Sequence, residues 1–242
     1  MNLRRTSLVL RLSALAGIAG FASLSCADGG REFIDPAVVV VERVIPPPPA
    51  AGSGAERAEL DEMLRVQAQR TPAQAERAKA DADTSIFRFA DAIGSPPGFA
   101  EGQLPRFAAL FAKIRRAETA VIGPAKDHYA RPRPYDTEPK LDPAIARPGS
   151  MAYPSGHAAW AFAAGLVLAD MLPEKRAEIL ARAAEFARNR VVGGVHYPSD
   201  VDAGRVAGSV LAAFLFAAPE FRAEEKLATA ELRAALKLPP PH

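Results

Sequence analysis

Two short segments in the second half of the chain are almost entirely apolar, and they restrict the fold more than any other feature. They are Ala158–Ala169 and Val206–Ala218, each about 12–13 residues long. A helix that crosses a bilayer needs roughly 20 apolar residues, so both segments are too short to span one. We therefore expect two helices that are buried in the core of the protein.

The chain beyond residue 54 is typical of alanine-rich helices separated by short Gly/Pro breaks. Helix starts are expected at Thr71-Pro72, where the threonine would cap and the proline would take the first position, and at Pro105. Helix ends are expected at Gly94–Gly98 and at Gly123-Pro124. Few segments alternate with a period of two, which indicates little or no sheet. We predict an all-α fold, a compact helical bundle that forms one domain over residues 55–242.

The N-terminus has the pattern of a secretory signal peptide. Arg4, Arg5 and Arg11 precede or open an apolar stretch, Leu12–Leu24, which is too short and wrongly flanked for a membrane span. We therefore predict that residues 1–25 are a leader and that the mature protein lies in the periplasm.

Cys26, the only cysteine, follows this leader directly. One interpretation is an acylated lipoprotein cysteine, although Ser23 stands where such signals typically have leucine. The other is cleavage after Ala27 by an ordinary signal peptidase. The mature protein would be lipid-anchored in the first case and soluble in the second. Residues 26–54 are expected to form an extended segment, with polyproline at Pro46–Pro49, that either lies along the domain or bridges to a partner subunit.

Charge and ligand spacing argue against two classes of function. Without the leader the chain has 27 basic and 28 acidic residues, a net charge of −1, so nothing favours nucleic-acid binding. The sequence also shows no cluster of His, Cys, Asp and Glu with metal-ligand spacing. We expect chemistry that needs neither a metal ion nor a cofactor.

The first of three motifs is basic. Lys126 and Arg133 are seven residues apart, close to two helical turns, so both could project from one helix face. Pro132 and Pro134 cannot continue a helix, which places Arg133 at the frayed end. Arg131 adds a further positive charge, and such a patch would repel itself unless an anion lies near it. The alternative interpretation is a solvated basic face.

The second motif is Pro154-Ser155-Gly156-His157, a turn that opens the first apolar helix. Free backbone N–H groups at a helix start favour a bound phosphate. Ser155 could add a hydroxyl donor, and Gly156 allows close approach of the backbone. The alternative is that Ser155 is an ordinary N-cap and His157 an ordinary first-turn residue.

The third motif contains Arg190, His196 and Asp200. If a helix begins at Pro198, the carboxylate of Asp200 can reach back to one ring nitrogen of His196. That contact would fix the tautomer and leave the other nitrogen free as a nucleophile. The alternative is a His–Asp pair with a structural role only.

Taken in this order, the three motifs resemble the signature of the type 2 phosphatidic acid phosphatase superfamily. Within it, the chain is most similar to the bacterial class A non-specific acid phosphatases. The resemblance implies an exported, metal-independent enzyme that hydrolyses a broad range of phosphate monoesters, with or without phosphate transfer to an alcohol, and that forms a homo-oligomer. Further stretches that fit this subfamily are Pro46–Pro49, Lys126-Asp127-His128-Tyr129, Gly149-Ser150 and Ser199-Asp200-Val201-Asp202-Ala203.

The resemblance also implies a role for each motif residue. His196 would attack phosphorus and form a phosphohistidine, with Asp200 orienting its ring. His157 would protonate the leaving oxygen and then activate water, which requires a charged His157 beside a neutral His196 and favours activity at acid pH. The phosphate oxygens would be bound by Lys126, Arg133, Ser155, Gly156 and Arg190.

Two departures from the family pattern lie near these motifs. Asn189 stands where the family usually has serine, which predicts a local change in hydrogen bonding. Met151 and Ala152 are two additional residues beside the second motif, and they put the substrate preference in doubt.

Two other functions remain as alternatives: a vanadate-dependent haloperoxidase, and a non-catalytic anion-binding lipoprotein of the envelope. The second would need no nucleophile, orienting acid or proton donor.

Overall fold

The computed structural model describes residues 33–240, so the predicted leader, Cys26 and His242 lie outside the described residues. Within that range the chain forms eight α-helices joined by turns and short 3₁₀ segments, and it contains no strand. The all-α prediction is confirmed. The helices are α1 (Gly54–Gln69), α2 (Pro72–Ala80), α3 (Pro105–Tyr129), α4 (Pro134–Thr137), α5 (Gly156–Met171), α6 (Arg176–Val192), α7 (Pro198–Ala217) and α8 (Pro219–Ala235).

Helix α5 is the centre of the core, as its apolar sequence predicts. It packs against α3, α6 and α7. Trp160, Val167 and Leu168 are fully buried, and alanines fill the closest contacts. Helix α7 differs from the prediction because only one side of it is buried. Phe214 on its other side keeps 38% of its surface exposed.

Two glycines allow α7 to approach α5 closely. A Cβ atom at Gly204 would overlap the backbone oxygen of Ser155, and one at Gly208 would overlap the backbone oxygen of Ala159. The close approach brings the first turn of α7 to the start of α5, where the Ser155 N–H donates to the Asp200 carbonyl at 2.9 Å. The second and third motifs therefore meet at this crossing.

Substitution of Gly208 by alanine is expected to destabilise the fold by at least about 2 kcal/mol, because backbone atoms of two core helices would have to separate. For a chain of this size that corresponds to a fall in Tm of roughly 4–8 °C. Gly123→Ala is the matched control: nothing lies within 4 Å of its Cβ position, and alanine is the better helix former. Thermal unfolding of both variants checks the contrast, and equal Tm values for the two would contradict the packing argument.

The predicted helix boundaries are confirmed at the starts and wrong at one end. Thr71 caps α2 in a capping box, and α3 begins at Pro105. Gly94 ends a 3₁₀ segment, Ile86–Ile93. Gly123-Pro124, in contrast, does not end α3, which continues to Tyr129. Proline removes the hydrogen bond to the carbonyl four residues earlier, and Ala120 is exposed, so water can satisfy that carbonyl.

The described part of the proline-rich segment, residues 33–53, lies along the helical domain. Two 3₁₀ turns, Pro36–Val38 and Val41–Arg43, contact α3. Four apolar side chains of this segment are buried in the core, namely Phe33, Val39, Val41 and Ile45.

Within residues 33–240 no single helix meets the length and hydropathy requirements for crossing a bilayer. Helices α7 and α8 meet them only as a pair, and the two are bent by 93° relative to each other.

Candidate active site

A cavity of about 260 Å³ opens at the start of α5, and the three motifs converge on it. Six of the eight predicted site residues line this cavity: Lys126, Arg133, Gly156, His157, Arg190 and His196. The other two, Ser155 and Asp200, are fully buried and hydrogen-bonded to residues of the same motifs.

Asp200 holds the ring of His196 from behind. The His196 Nδ1 atom lies 3.0 Å from the Asp200 Oδ2 atom, and both side chains are buried. The same carboxylate accepts hydrogen bonds from the Tyr197 N–H at 2.9 Å and from Arg131 Nη1 at 2.7 Å. Three partners leave this carboxylate little freedom to move, so the ring that it contacts has a fixed orientation.

Arg131 does not belong to the anion patch predicted from the sequence. Its guanidinium donates to Glu59 Oε2 at 2.8 Å as well as to Asp200, so its charge is balanced within the protein.

The prediction that Arg133 ends the helix of Lys126 is also wrong. Ala130 adopts a left-handed conformation with φ of 44°, and the chain leaves α3 there.

Arg133 contacts the other nitrogen of His196. Its Nη1 atom lies 2.9 Å from His196 Nε2 and 2.7 Å from the Val195 carbonyl oxygen. An arginine can only donate, so Nε2 must accept and therefore carries no proton. Asp200 can only accept when ionised, so Nδ1 carries the proton. The two contacts together assign one neutral tautomer, with the lone pair of Nε2 directed at Arg133 Nη1.

Electrostatics favour the neutral form of His196. Burial lowers the pKa of His196 well below its usual value, and the charges of Arg133 and Lys126 lower it further. Burial raises the pKa of Asp200 to about 6, an effect that Arg131 opposes. The lowered pKa favours the neutral imidazole of His196, whereas the Asp200 carboxylate is mainly ionised only above about pH 6.

Arg190 is the part of the site that most directly indicates an anion. Only 2% of its surface is exposed, and its Nε and Nη1 atoms are buried without a hydrogen-bond partner among the described residues. Burial and the neighbouring Arg133 lower its pKa to about 10, so it remains charged at acid and neutral pH. A buried guanidinium with free donors is costly unless an anion accepts them.

Lys126 is the third cation of the cavity. Its Nζ atom donates to the carbonyl oxygen of Met151 at 2.6 Å, with the Ala152 carbonyl oxygen 3.4 Å away. The two additional residues of the sequence therefore lie against this amine. Burial, and then Arg133, lower the pKa of Lys126 to about 7. The positive charge of the cavity is therefore complete below about pH 7 and decreases above it.

Ser155 and Gly156 form the start of α5. The Ser155 Oγ atom accepts from the Ala158 N–H at 3.3 Å, which is the geometry of an N-cap. Its hydroxyl proton can still be donated, so the capping and anion-binding interpretations are compatible. Gly156 follows as the first helical residue and lines the cavity.

His157 faces the cavity from the first turn of α5. Its Nε2 atom lies 3.1 Å from the Ala82 carbonyl oxygen, so Nε2 carries a proton and Nδ1 is the second titrating atom. Burial and the charge of Arg190 lower the pKa of His157 to about 3. The prediction of a charged His157 is thus wrong for the unliganded site, because the surrounding cations oppose a further positive charge.

The sequence did not reveal a buried network behind Arg190 and His157. Asp81 accepts hydrogen bonds from Asn189 Nδ2 at 2.7 Å and from Arg182 Nη1 at 3.0 Å. Asn189 directly precedes Arg190 in the chain. Asp81 directly precedes Ala82, whose carbonyl oxygen accepts a hydrogen bond from His157. Asn189, the residue that departs from the family pattern, thus donates to a buried carboxylate. Its partner lies 108 residues away, so sequence spacing gave no signal for it.

Two charged residues that sequence reasoning missed also line the cavity, namely Arg115 and Glu118. Both lie on α3, and Glu118 precedes Lys126 by about two helical turns. That helical spacing was the one available signal.

Within residues 33–240 no group of three or more His, Cys, Asp or Glu side chains is arranged to hold a metal ion.

Comparison with known proteins identifies relatives of this chain. Residues 108–224 match the PAP2 superfamily. An acid phosphatase of Zymomonas mobilis is 37% identical over 137 residues, which are 55% of this chain and 52% of that protein. A non-specific acid phosphatase of Providencia stuartii is 34% identical over 162 residues, 63% of this chain and 64% of that protein. A non-specific acid phosphatase of Salmonella typhimurium is 39% identical over 104 residues, which are 40% of this chain and 41% of that protein. The matches thus span about half of the length of these relatives.

A solved structure shows the same fold. It is a transmembrane PAP2-type phosphatidylglycerolphosphate phosphatase from Bacillus subtilis, with a TM-score of 0.50 and 16% sequence identity. The likeness covers 78% of this chain and 96% of that one, and at this identity it concerns the fold alone. The superfamily match includes all eight predicted site residues, and acid phosphatases are among the sequence relatives. Residues 108–224, which hold the candidate site, therefore belong to the PAP2 superfamily.

Proposed function

We propose that this protein is an acid phosphatase that hydrolyses small phosphate monoesters through a phosphohistidine on His196. The observation that carries the proposal is the pairing of a buried, unpartnered guanidinium on Arg190 with a neutral, oriented imidazole in one cavity. The first is suited to binding a phosphoryl group and the second to attacking it. The names of the sequence relatives support the same activity.

The reaction divides into two displacements at phosphorus. In the first, His196 Nε2 forms a bond to phosphorus while the bond to the leaving oxygen breaks, and His157 gives that oxygen a proton. In the second, His157 takes a proton from water as the water oxygen bonds to phosphorus and the P–N bond breaks. Inorganic phosphate leaves, and both rings return to their starting states.

Arg133 has two tasks in this scheme. In the unliganded site its Nη1 atom donates to the nitrogen that must attack, so the nucleophile is covered. A phosphoryl group would offer the same guanidinium a charged acceptor, and bonds to charged acceptors are stronger than bonds to a neutral imidazole. Substrate binding would therefore draw Arg133 away and free Nε2.

The proton on His157 is expected to arrive with the substrate. Arg190, Arg115 and Arg133 lower its pKa in the unliganded site, and their charges are compensated once negative phosphoryl oxygens lie between them. The pKa of His157 then rises, and acid pH favours its charged form. Lys126 acts in the same direction, because its positive charge is retained below about pH 7. Both effects predict greater activity on the acid side of neutrality.

A protein that only binds an anion would not need all of the residues that meet in this cavity. Anion capture requires Arg190, Lys126 and the start of α5, whereas a carboxylate that fixes the tautomer of His196 adds nothing to it. The cationic side chains that line the cavity also repel a divalent metal ion, which supports chemistry without one. These points favour a metal-independent enzyme over the anion-binding alternative.

A panel of phosphate esters tests the proposal. The protein without its leader is expected to release phosphate from p-nitrophenyl phosphate, nucleotides and sugar phosphates, fastest below pH 7, and to keep its activity in excess EDTA. Vanadate is expected to inhibit competitively. A parallel assay of bromide oxidation with vanadate and peroxide separates the haloperoxidase alternative. Phosphate release that EDTA abolishes, or bromide oxidation without phosphate release, would contradict the proposal.

We further propose that residues 1–25 are a leader and that the mature protein is exported. The basic and apolar pattern of these residues supports this. The mass of the mature N-terminus decides between acylation of Cys26 and cleavage after Ala27. A homo-oligomer is also proposed, and light scattering at several concentrations measures it.

A further inference from the structure

A carboxylate lies inside the anion cavity, where the activity described above does not require one. Glu118 on α3 has 1% of its surface exposed and lines the cavity together with Arg190 and His196. A Cβ atom at Gly156 would lie 2.9 Å from its Oε1 atom. The carboxylate is therefore packed directly against the first turn of α5, the position at which an oxyanion would bind.

The two oxygens of this carboxylate have different surroundings. Oε2 forms an ion pair with Arg115 and lies 3.4 Å from Thr119 Oγ1. Oε1 accepts no hydrogen bond from any described residue, although it belongs to a buried side chain. Arg115 thus fixes the carboxylate through one oxygen, and the other remains an unused acceptor beside Gly156.

A hydrogen-bond acceptor in this position distinguishes oxyanions that carry an O–H group from those that carry none. A fully ionised oxyanion has no donor for Oε1, and two negative groups at close range repel each other strongly away from bulk water. An oxyanion with one O–H group turns the same contact into a charge-assisted hydrogen bond. The other charged or titratable groups that line the cavity are Arg115 and Lys126 on α3, Arg133 before α4, His157 on α5, Arg190 on α6 and His196 before α7. They attract both kinds of oxyanion and so do not distinguish them.

We propose that Glu118 accepts a hydrogen bond from a protonated phosphoryl oxygen and thereby makes the site select protonated phosphate over fully ionised oxyanions such as sulfate. For a phosphate monoester the selected form is the singly charged one, which predominates below about pH 6. The extension to monoester substrates rests on the proposed function. The selectivity between phosphate and sulfate does not.

The test compares inorganic phosphate and sulfate by titration calorimetry at about pH 8. Phosphate is then mainly doubly charged, so the two anions share charge and shape and differ by one proton. The wild-type chain is expected to bind phosphate at least roughly tenfold more tightly than sulfate, the size expected of one charged hydrogen bond. In Glu118→Gln the preference is expected to disappear, because an amide can donate to either anion. Glu178→Gln, an exposed carboxylate on α6, removes the same charge and is expected to keep the preference.

Two results would overturn the inference. One is equal affinity of the wild-type chain for phosphate and sulfate, which requires no variant and so does not depend on the folding of Glu118→Gln. The other is a folded Glu118→Gln protein that retains the phosphate preference. The calorimetric readout is independent of turnover. If the wild-type chain hydrolyses no ester and still shows the selectivity, the proposed function fails and this inference holds. If hydrolysis is found without selectivity, the reverse is true.

Discussion

His196→Ala is expected to lower kcat by roughly 10⁴-fold or more and to remove the phosphoenzyme entirely. The neutral Nε2 atom of His196 is the group that the site orients from both sides, through Asp200 and Arg133. Loss of a nucleophile in a covalent mechanism has effects of this size because no other group can form the intermediate. Steady-state assays with p-nitrophenyl phosphate, together with labelling by a radioactive substrate and an alkaline quench, measure both quantities.

The control for this variant is His128→Ala. His128 lies exposed near the end of α3, where its ring packs against Tyr129. Its loss is expected to leave kcat within a few-fold of wild type. His196→Ala should also keep its helical circular dichroism. A folded His196→Ala protein with wild-type turnover would eliminate His196 as the nucleophile.

His157→Ala is expected to affect substrates according to their leaving groups. An alkyl phosphate such as glycerol phosphate needs a proton on its leaving oxygen, so its phosphorylation step should slow by roughly 10²–10⁴-fold. p-Nitrophenolate is a stable anion that needs little protonation, and its initial burst should be much less affected. The steady-state rate should fall for both substrates, because the same ring activates water in the second step. Stopped-flow measurement of the burst separates the two steps.

Equal slowing of the burst for both leaving groups would remove His157 from the role of proton donor. The contact between Nε2 and the Ala82 carbonyl would then be its main function. His157→Gln serves as a second variant, since it restores a polar side chain of similar size without a titrating group. The burst rate of His157→Gln should depend on the leaving group in the same way as that of His157→Ala.

The parts of the structure that the sequence predicted well are those set by local chemistry. The apolar run after Ser155 predicted the buried helix α5, and Thr71-Pro72 predicted the start of α2. The spacing of His196 and Asp200 predicted their contact, because a proline-initiated helix turns the carboxylate back toward the ring. In each case the determining residues are neighbours in the chain.

The parts that were missed depend on contacts between distant segments. Pro124 remains inside α3 because its surroundings tolerate the lost hydrogen bond, which a local rule cannot indicate. Arg131 is neutralised by Glu59, 72 residues away. Glu118 became part of the site only when α3 packed beside the start of α5. Burial also decided the pKa of His157, and local sequence does not determine burial.

The central claim is that a phosphoryl group is transferred to His196, and mapping of the trapped intermediate tests it most directly. The enzyme is mixed with substrate at acid pH, quenched in alkali, where phosphohistidine is stable, digested, and analysed by mass spectrometry. The account predicts phosphate on the peptide that contains His196, with the label lost on acid treatment. Phosphate on any other residue, or rapid turnover with no phosphoenzyme at any quench time, would contradict it.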